Sequence, residues 1–401
     1  MQKMMKGQKC ALWLSTIAMI LSFTVWTMIA QVAPIVQEMY ELSDTKLSLL
    51  IAIPVLLGSL MRIPLGIASD RYGGRKIYTL TMLVLIIPLV GIGYAATYEM
   101  LLFWTFLIGL AGATFAIAIS YVSNWYTSGK QGYVLGIVGL GNIGSAISGF
   151  TVPTMVTEFS LSWTFWGSAI LMGLMTAVFW FFTKEAPLSN DKTTVKEAFS
   201  VMKYRSLWIL SMFYFLTFGG FVTFSLYLPT LLKGLYHISL VDAGMNTAWF
   251  VMLATFIRPF GGYLADRFGA KMPLLFLFSG TSVIAILIPL AVGNFFIFSV
   301  AFLTLGLFLG AGNGAVFKLV PDVAPGKTGV SAGIIGAIGG IGGFILPLVL
   351  GLTKDLIGSY TPGFVLFSIL SFMCLIGTIR GVKDGKTSSQ KKSVKAYPSI
   401  Q

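Results

Sequence analysis

Arg62-Ile-Pro-Leu-Gly66-Ile-Ala-Ser-Asp70-Arg71-Tyr-Gly73-Gly-Arg75 and Arg258-Pro-Phe-Gly-Gly262-Tyr-Leu-Ala-Asp266-Arg267-Phe-Gly269-Ala-Lys271 are one phrase written twice. Arginine, glycine, aspartate, arginine, glycine and a final cation recur at a constant offset of 196 residues, so the chain contains an internal repeat. The arginine opening each copy stands inside an apolar run. A cation at such depth costs a few kcal/mol on insertion scales and roughly 10 or more in simulations, so its presence reads as functional.

The apolar runs around these phrases have the length needed to cross a hydrocarbon core about 30 Å thick. Twelve such runs fall near residues 11–33, 47–68, 76–97, 101–123, 132–156, 162–183, 207–230, 243–265, 272–292, 295–317, 329–352 and 362–380. With 56% hydrophobic and 10% charged residues and a mean hydropathy of +0.86, the composition excludes an ordinary soluble globule. The sequence predicts an all-α polytopic membrane protein of twelve transmembrane helices in two pseudo-symmetric six-helix halves, 1–183 and 207–380. A polar linker, 184–206, joins the halves, and a basic tail, 381–401, follows them.

The net charge of +13 is distributed by side and does not point to nucleic acid. Of the 27 lysines and arginines, Lys46, Lys233 and Lys354 fall on one side of the predicted bundle and Arg62 and Arg258 inside it. The other 22 share the side of both termini, which the positive-inside rule assigns to the cytoplasm. The first apolar run is too long for a cleavable signal and lacks a small-residue cleavage site. Cys10 and Cys374 have no disulfide or metal-ligand spacing. With no redox motif, nucleotide loop, metal cluster or nucleophile constellation, the sequence predicts neither an enzyme nor a cofactor.

Every aspartate and glutamate maps to a loop or a helix end, so the two central arginines have no acidic partner within the spans. A buried guanidinium needs a counter-charge, and where the protein does not supply it a ligand can. Two planar donor forks facing each other suit a small planar anion. Counting inward from the helix ends places Phe23, Phe115, Asn142, Tyr214, Phe218 and the glycines of span 11 at the same depth. Spans 5 and 11 are crowded with glycine at every third or fourth position, a packing seam that also lets backbone approach a ligand. Lys318 reads as a snorkelling cation at the surface and His237 as a solvated loop residue.

The loop Gly66-x-x-x-Asp70-Arg71-x-Gly73-Gly-Arg75-Lys76 resembles the signature of the major facilitator superfamily, and its second copy supports that resemblance. Over essentially all twelve spans the chain is similar to the nitrate/nitrite porters of that superfamily. The matching phrases are the arginine pair, Gly136-x-x-Gly139-x-Gly141-Asn142-x-Gly144, Gly333-x-x-Gly336-x-x-Gly339-Gly340 and Tyr214-Phe-Leu-Thr-Phe218. The resemblance implies anion binding by Arg62, Arg258, Tyr214, Asn142, Phe23, Phe115 and Phe218, with Gly139, Gly336, Gly339 and Gly340 in the glycine walls. It implies a gate at Gly66, Asp70, Arg71, Gly73 and Arg75, and at Gly262, Asp266, Arg267, Gly269 and Lys271, whose charges latch helix ends.

The short central loop looks most like that of an assimilatory bacterial nitrate transporter. The implied mechanism is alternating access about a midplane site, by a monomer in the lipid bilayer. Exchange of nitrate for nitrite and symport of nitrate with protons both remain open, the first favoured by the absence of an acidic residue in the spans. A carrier of another small anion such as a monocarboxylate, an anion channel and a nontransporting sensor are the alternatives. Competition by formate and acetate, ohmic current, and binding without flux distinguish them.

Overall fold

In the computed structural model, which describes residues 2–126, 134, 137–185, 200–320, 323 and 328–382, every regular element is a helix. Eleven are long and apolar enough to cross a membrane. They are span 1 (Gly7–Gln31), span 2 (Asp44–Tyr72), span 3 (Gly74–Ile92), span 4 (Tyr98–Ser123) and span 6 (Leu161–Phe182) in the first half. The second half has span 7 (Arg205–Tyr236), span 8 (Leu240–Phe268), span 9 (Lys271–Leu290), span 10 (Phe295–Leu319), span 11 (Val330–Ile357) and span 12 (Thr361–Gly381). Span 5, the twelfth of the sequence reading, is described as a 3-10 turn, Leu140–Asn142, continued by a helix, Ile143–Glu158. Gly132 and Gly136 of its predicted first turns lie outside the described residues, as do residues 186–199 of the linker and the tail beyond 382.

The sequence marks where these helices begin and end. Ser43, Thr97, Ser160, Ser239 and Asn294 cap the starts of spans 2, 4, 6, 8 and 10, each side chain accepting from a backbone N–H of the first turn. All five lie at the end of the bundle remote from the N-terminus. At the opposite end spans 2 and 8 stop at Gly73 and Gly269, whose φ values of 102° and 79° suit glycine. Both copies of the repeated phrase therefore close with the same turn.

Spans 3 and 6 pair through Tyr78 and Phe179, ring centroids 4.9 Å apart, and spans 9 and 12 through Ser282 and Ser368 at 2.9 Å. Their opposite faces expose Leu80, Leu83, Ile87, Leu174, Phe181, Phe276, Val283 and Phe372, the surface expected to meet lipid. The remaining spans form the interior, where small residues bring backbones together. The approach of Gly58 on span 2 to Gly112 on span 4 recurs as that of Ala254 on span 8 to Gly310 on span 10. Between halves, Gly149 of span 5 abuts Gly244 of span 8, and Gly340 of span 11 abuts Ser59 of span 2.

At the end remote from the termini, polar contacts cross between the halves. The Asp355 carboxylate accepts from the backbone N–H groups of Asp44 (3.0 Å) and Thr45 (2.8 Å), capping span 2 from span 11. Lys233 bridges to Glu38 at 2.6 Å, and the Ser48 and Tyr227 hydroxyls meet at 3.1 Å. At the terminus side the bonds of the repeated phrases stay within a half. Asp70 accepts from Ser120, Arg75 donates from its guanidinium to the Trp180 carbonyl and from its backbone N–H to the Glu185 carboxylate, and Asp266 pairs with Lys318. Lys318 reaches toward solvent, half-exposed, with Asp266 as its partner.

Candidate functional site

Arg62 stands ten residues before the end of its helix and Arg258 ten before the end of its own, so each is about 15 Å inside the terminus-side surface at 1.5 Å per residue. Span 8 steps at Ile257, immediately ahead of Arg258 and Pro259, so the second arginine starts a new helical segment. Arg62 is 4% exposed. Its Nε donates to the Gly112 carbonyl at 3.4 Å, and its Nη1 reaches across the halves to the Gly336 carbonyl at 2.9 Å. Two of its five N–H groups are thereby fixed, which orients the fork and leaves the Nη2 edge for a ligand.

Phe218 lies between the two cations. Its ring centroid is 5.2 Å from the Arg62 Cζ and 5.8 Å from the Arg258 Cζ, which bounds the separation of the two guanidinium carbons at the sum, about 11 Å. Phe115 adds a second ring to Arg62 at 5.5 Å, and Phe221 a second ring to Arg258 at 5.9 Å. An aromatic face stabilises a desolvated cation by about 2 kcal/mol or more without neutralising it. The site is therefore a pair of positive charges on an apolar floor, held open to a counter-ion.

Tyr214 connects the pair. Its hydroxyl accepts from Arg258 Nη2 at 3.1 Å, and its ring stacks on Phe218 with centroids 4.9 Å apart and planes 9° from parallel. On its other side Phe317 approaches edge-on at 4.8 Å. Span 11 comes so close that a Cβ on Gly339 would lie 2.4 Å from the Tyr214 Cδ1, whereas one on Gly336 would rest 3.7 Å from the Arg62 Nη1. Gly339 is needed for closeness to Tyr214, and Gly336 supplies a carbonyl.

The structure thus brings Arg62, Arg258, Tyr214, Phe115, Phe218, Gly336 and Gly339 into one set of contacts. It places Phe23 and Asn142 one layer away. Phe23 packs edge-on against Trp26 at 5.1 Å, and Trp26 lies against Gly112, whose carbonyl holds Arg62. Asn142 is buried and donates to the Gly139 carbonyl at 2.7 Å, while its neighbours Gly141 and Gly144 press on span 1. Gly340 sits in the seam with Ser59.

The terminus-side residues are likewise resolved into contacts. Gly66 and Gly262 face span 4 and span 10, with Ala116 and the Gly314 carbonyl each 3.7 Å from where a Cβ would be. Arg71 lies over Tyr72 at 5.5 Å, Arg267 donates to the Tyr263 hydroxyl at 3.2 Å, and Lys271 begins span 9. Sequence reasoning did not assign Phe221, Phe317 or the Gly112 carbonyl to the site. Phe221 could have been found, since it is three residues after Phe218 and so on the same helix face.

The chain matches the family description Major Facilitator Superfamily over residues 15–347 and again over 210–399. It is 34% identical over 380 residues to the "Nitrite extrusion protein" of Bacillus subtilis (strain 168), covering 93% of this chain and 95% of that protein. It is 35% identical to the "Probable nitrate/nitrite transporter NarK2" of Mycobacterium tuberculosis, with 90% and 93% covered. To the "Probable nitrate/nitrite antiporter NarK1" of Thermus thermophilus it is 31% identical, with 84% and 83% covered. Among solved structures, the bacterial homolog of the human lysosomal transporter Spinster superposes with a TM-score of 0.73 over 93% of this chain and 96% of that one, at 18% identity. That similarity concerns the fold.

Proposed function

The chain belongs to the Major Facilitator Superfamily, and from that premise we propose that it carries nitrate and nitrite across the bacterial cytoplasmic membrane by alternating access. The observation that carries this reading is the pair of guanidinium groups flanking one phenylalanine ring, bonded among the described residues to carbonyls and a phenol and to no carboxylate. Proteins 31–35% identical to this chain bear nitrate and nitrite in their names, which supports the same anion class. Both arginines come from one chain, so a monomer suffices.

The electrostatics favour exchange. Two unit charges at the upper bound of about 11 Å repel by roughly 1.5 kcal/mol at an effective dielectric of 20, and by more when closer. An anion about 4 Å from a guanidinium carbon gains roughly 4 kcal/mol from it under the same conditions. Occupancy therefore turns a site that resists closure into one that favours it, and each crossing in either direction is made with an anion aboard. A planar oxyanion fits better than a spherical halide because each fork presents parallel donors.

With both termini in the cytoplasm, the contacts between halves at Asp355, Lys233 and Tyr227 lie at the outer face and tie the halves there. One-for-one exchange brings in no net nitrogen, so such a carrier supplies nitrate to be reduced to nitrite and returns the nitrite by the same site. The test is uptake of labelled nitrate into proteoliposomes in the presence of nitrite, formate or acetate. Strong competition by nitrite with weak competition by the carboxylates is expected. Equal or stronger inhibition by formate and acetate would move the substrate to monocarboxylates.

A further inference from the structure

Asn313 on span 10 is 1% exposed, and neither its Oδ1 nor its Nδ2 has a hydrogen-bond partner. A buried carboxamide unpaired at both ends is costly, which makes its place in the site informative.

The repeat supplies that place. Gly58 meets Gly112 as Ala254 meets Gly310, Gly66 meets Ala116 as Gly262 meets Gly314, and Asp70 meets Ser120 as Asp266 meets Lys318. In all three pairs span 2 maps onto span 8 at an offset of 196, while span 4 maps onto span 10 at 198. At 198, Phe115 corresponds to Asn313. Phe115 is the ring that lies 5.5 Å from the Arg62 Cζ, so Asn313 stands toward Arg258 as Phe115 stands toward Arg62.

Its neighbours agree. Gly314 abuts the Arg258 backbone carbonyl. Phe317, one turn along the same helix face, touches the Tyr214 ring, and Tyr214 accepts from Arg258. The first half offers its arginine an aromatic face, and the second half offers an amide with a free donor.

Resting on the anion reading above, we propose that Asn313 is a substrate-binding residue that selects nitrate over nitrite. A fork on Arg258 engages two oxygens of either anion. Nitrate has a third oxygen, and the Asn313 Nδ2 donates to it; nitrite has none to offer. The carboxamide thus adds a contact to one substrate and leaves the other almost unchanged.

The test measures KM for nitrate and for nitrite uptake in proteoliposomes with Asn313→Leu, which keeps the shape and removes both polar atoms. Loss of a hydrogen bond to a charged ligand raises KM for nitrate roughly tenfold or more, with nitrite changed less than about threefold. Asn313→Ala, which removes the carboxamide and adds neither bulk nor charge, should weaken nitrate as much and nitrite as little, so it decides the matter if the leucine variant fails to fold. Unchanged KM for nitrate in a folded variant, or equal changes for the two anions, would overturn the proposal. Wild-type protein that transports neither anion would instead refute the reading on which it rests.

Discussion

Gly339→Ala puts a methyl group where the structure has no room for one. The new Cβ would lie 2.4 Å from the Tyr214 Cδ1 and 3.0 Å from its Cε1, so the ring must retreat by about 1 Å to reach ordinary contact. Tyr214 is held between Phe218, stacked at 4.9 Å, and Phe317, edge-on at 4.8 Å, so it cannot retreat without disturbing one of them. Overpacking of this kind costs about 1–3 kcal/mol. The same movement lengthens the 3.1 Å bond from Arg258 past hydrogen-bonding range. A bond to a charged group contributes about 1.5–3 kcal/mol, so nitrate uptake at subsaturating concentration should fall roughly ten- to hundredfold in protein that remains monodisperse. Gly333→Ala on the same helix is the control, because nothing lies within 4 Å of its added Cβ. Alanine there should leave uptake intact and raise thermal stability, by about 1 kcal/mol on helix propensity. Wild-type uptake in Gly339→Ala, or an equal defect in both variants, would refute the packing argument.

Arg62→Lys and Arg258→Lys keep the charge and lose the fork, and each should reduce nitrate uptake at least tenfold; wild-type rates in both would remove the two-fork geometry. Tyr214→Phe keeps the stack on Phe218 and loses the acceptor for Arg258, so KM should rise while the protein's melting temperature changes little. Asp355→Asn weakens the cap on span 2 that ties the two halves at the end remote from the termini. At a largely exposed helix terminus that is about 0.3–1 kcal/mol, a two- to fivefold shift toward the outward-open form. Labelling of a cysteine placed at the outer mouth should report it, and unchanged labelling would show that the cap does not bias the equilibrium.

The repeat, the spans and the arginine pair were legible in the sequence because each is carried by local signals: a phrase copied at one offset, apolar length, and charge where hydrocarbon penalises it. Counting from helix ends also gave depth, and Tyr214, Phe218 and Phe115 proved to be in contact with the arginines. Depth does not give direction around the helix axis. Phe23 packs on Trp26 of its own helix, which faces spans 2 and 4, and Asn142 donates to the Gly139 carbonyl within span 5. Lys318 read as a lone snorkelling cation because its partner Asp266 is 52 residues away in sequence. The Asp355 cap was likewise hidden, since it joins elements more than 300 residues apart. The equivalence of Phe115 and Asn313 needs an offset of 198 where the arginine phrase gives 196, and only the contacts reveal the two-residue difference.

Labelled nitrate uptake into proteoliposomes preloaded with nitrite, compared with vesicles holding no permeant anion, tests the central claim directly. Two arginines that need an anion to close predict rapid uptake into the nitrite-loaded vesicles and little into the empty ones, with or without an imposed proton gradient. Equal uptake into both, or uptake into anion-free vesicles driven by the gradient, would show that the empty site recrosses the membrane and would contradict the account.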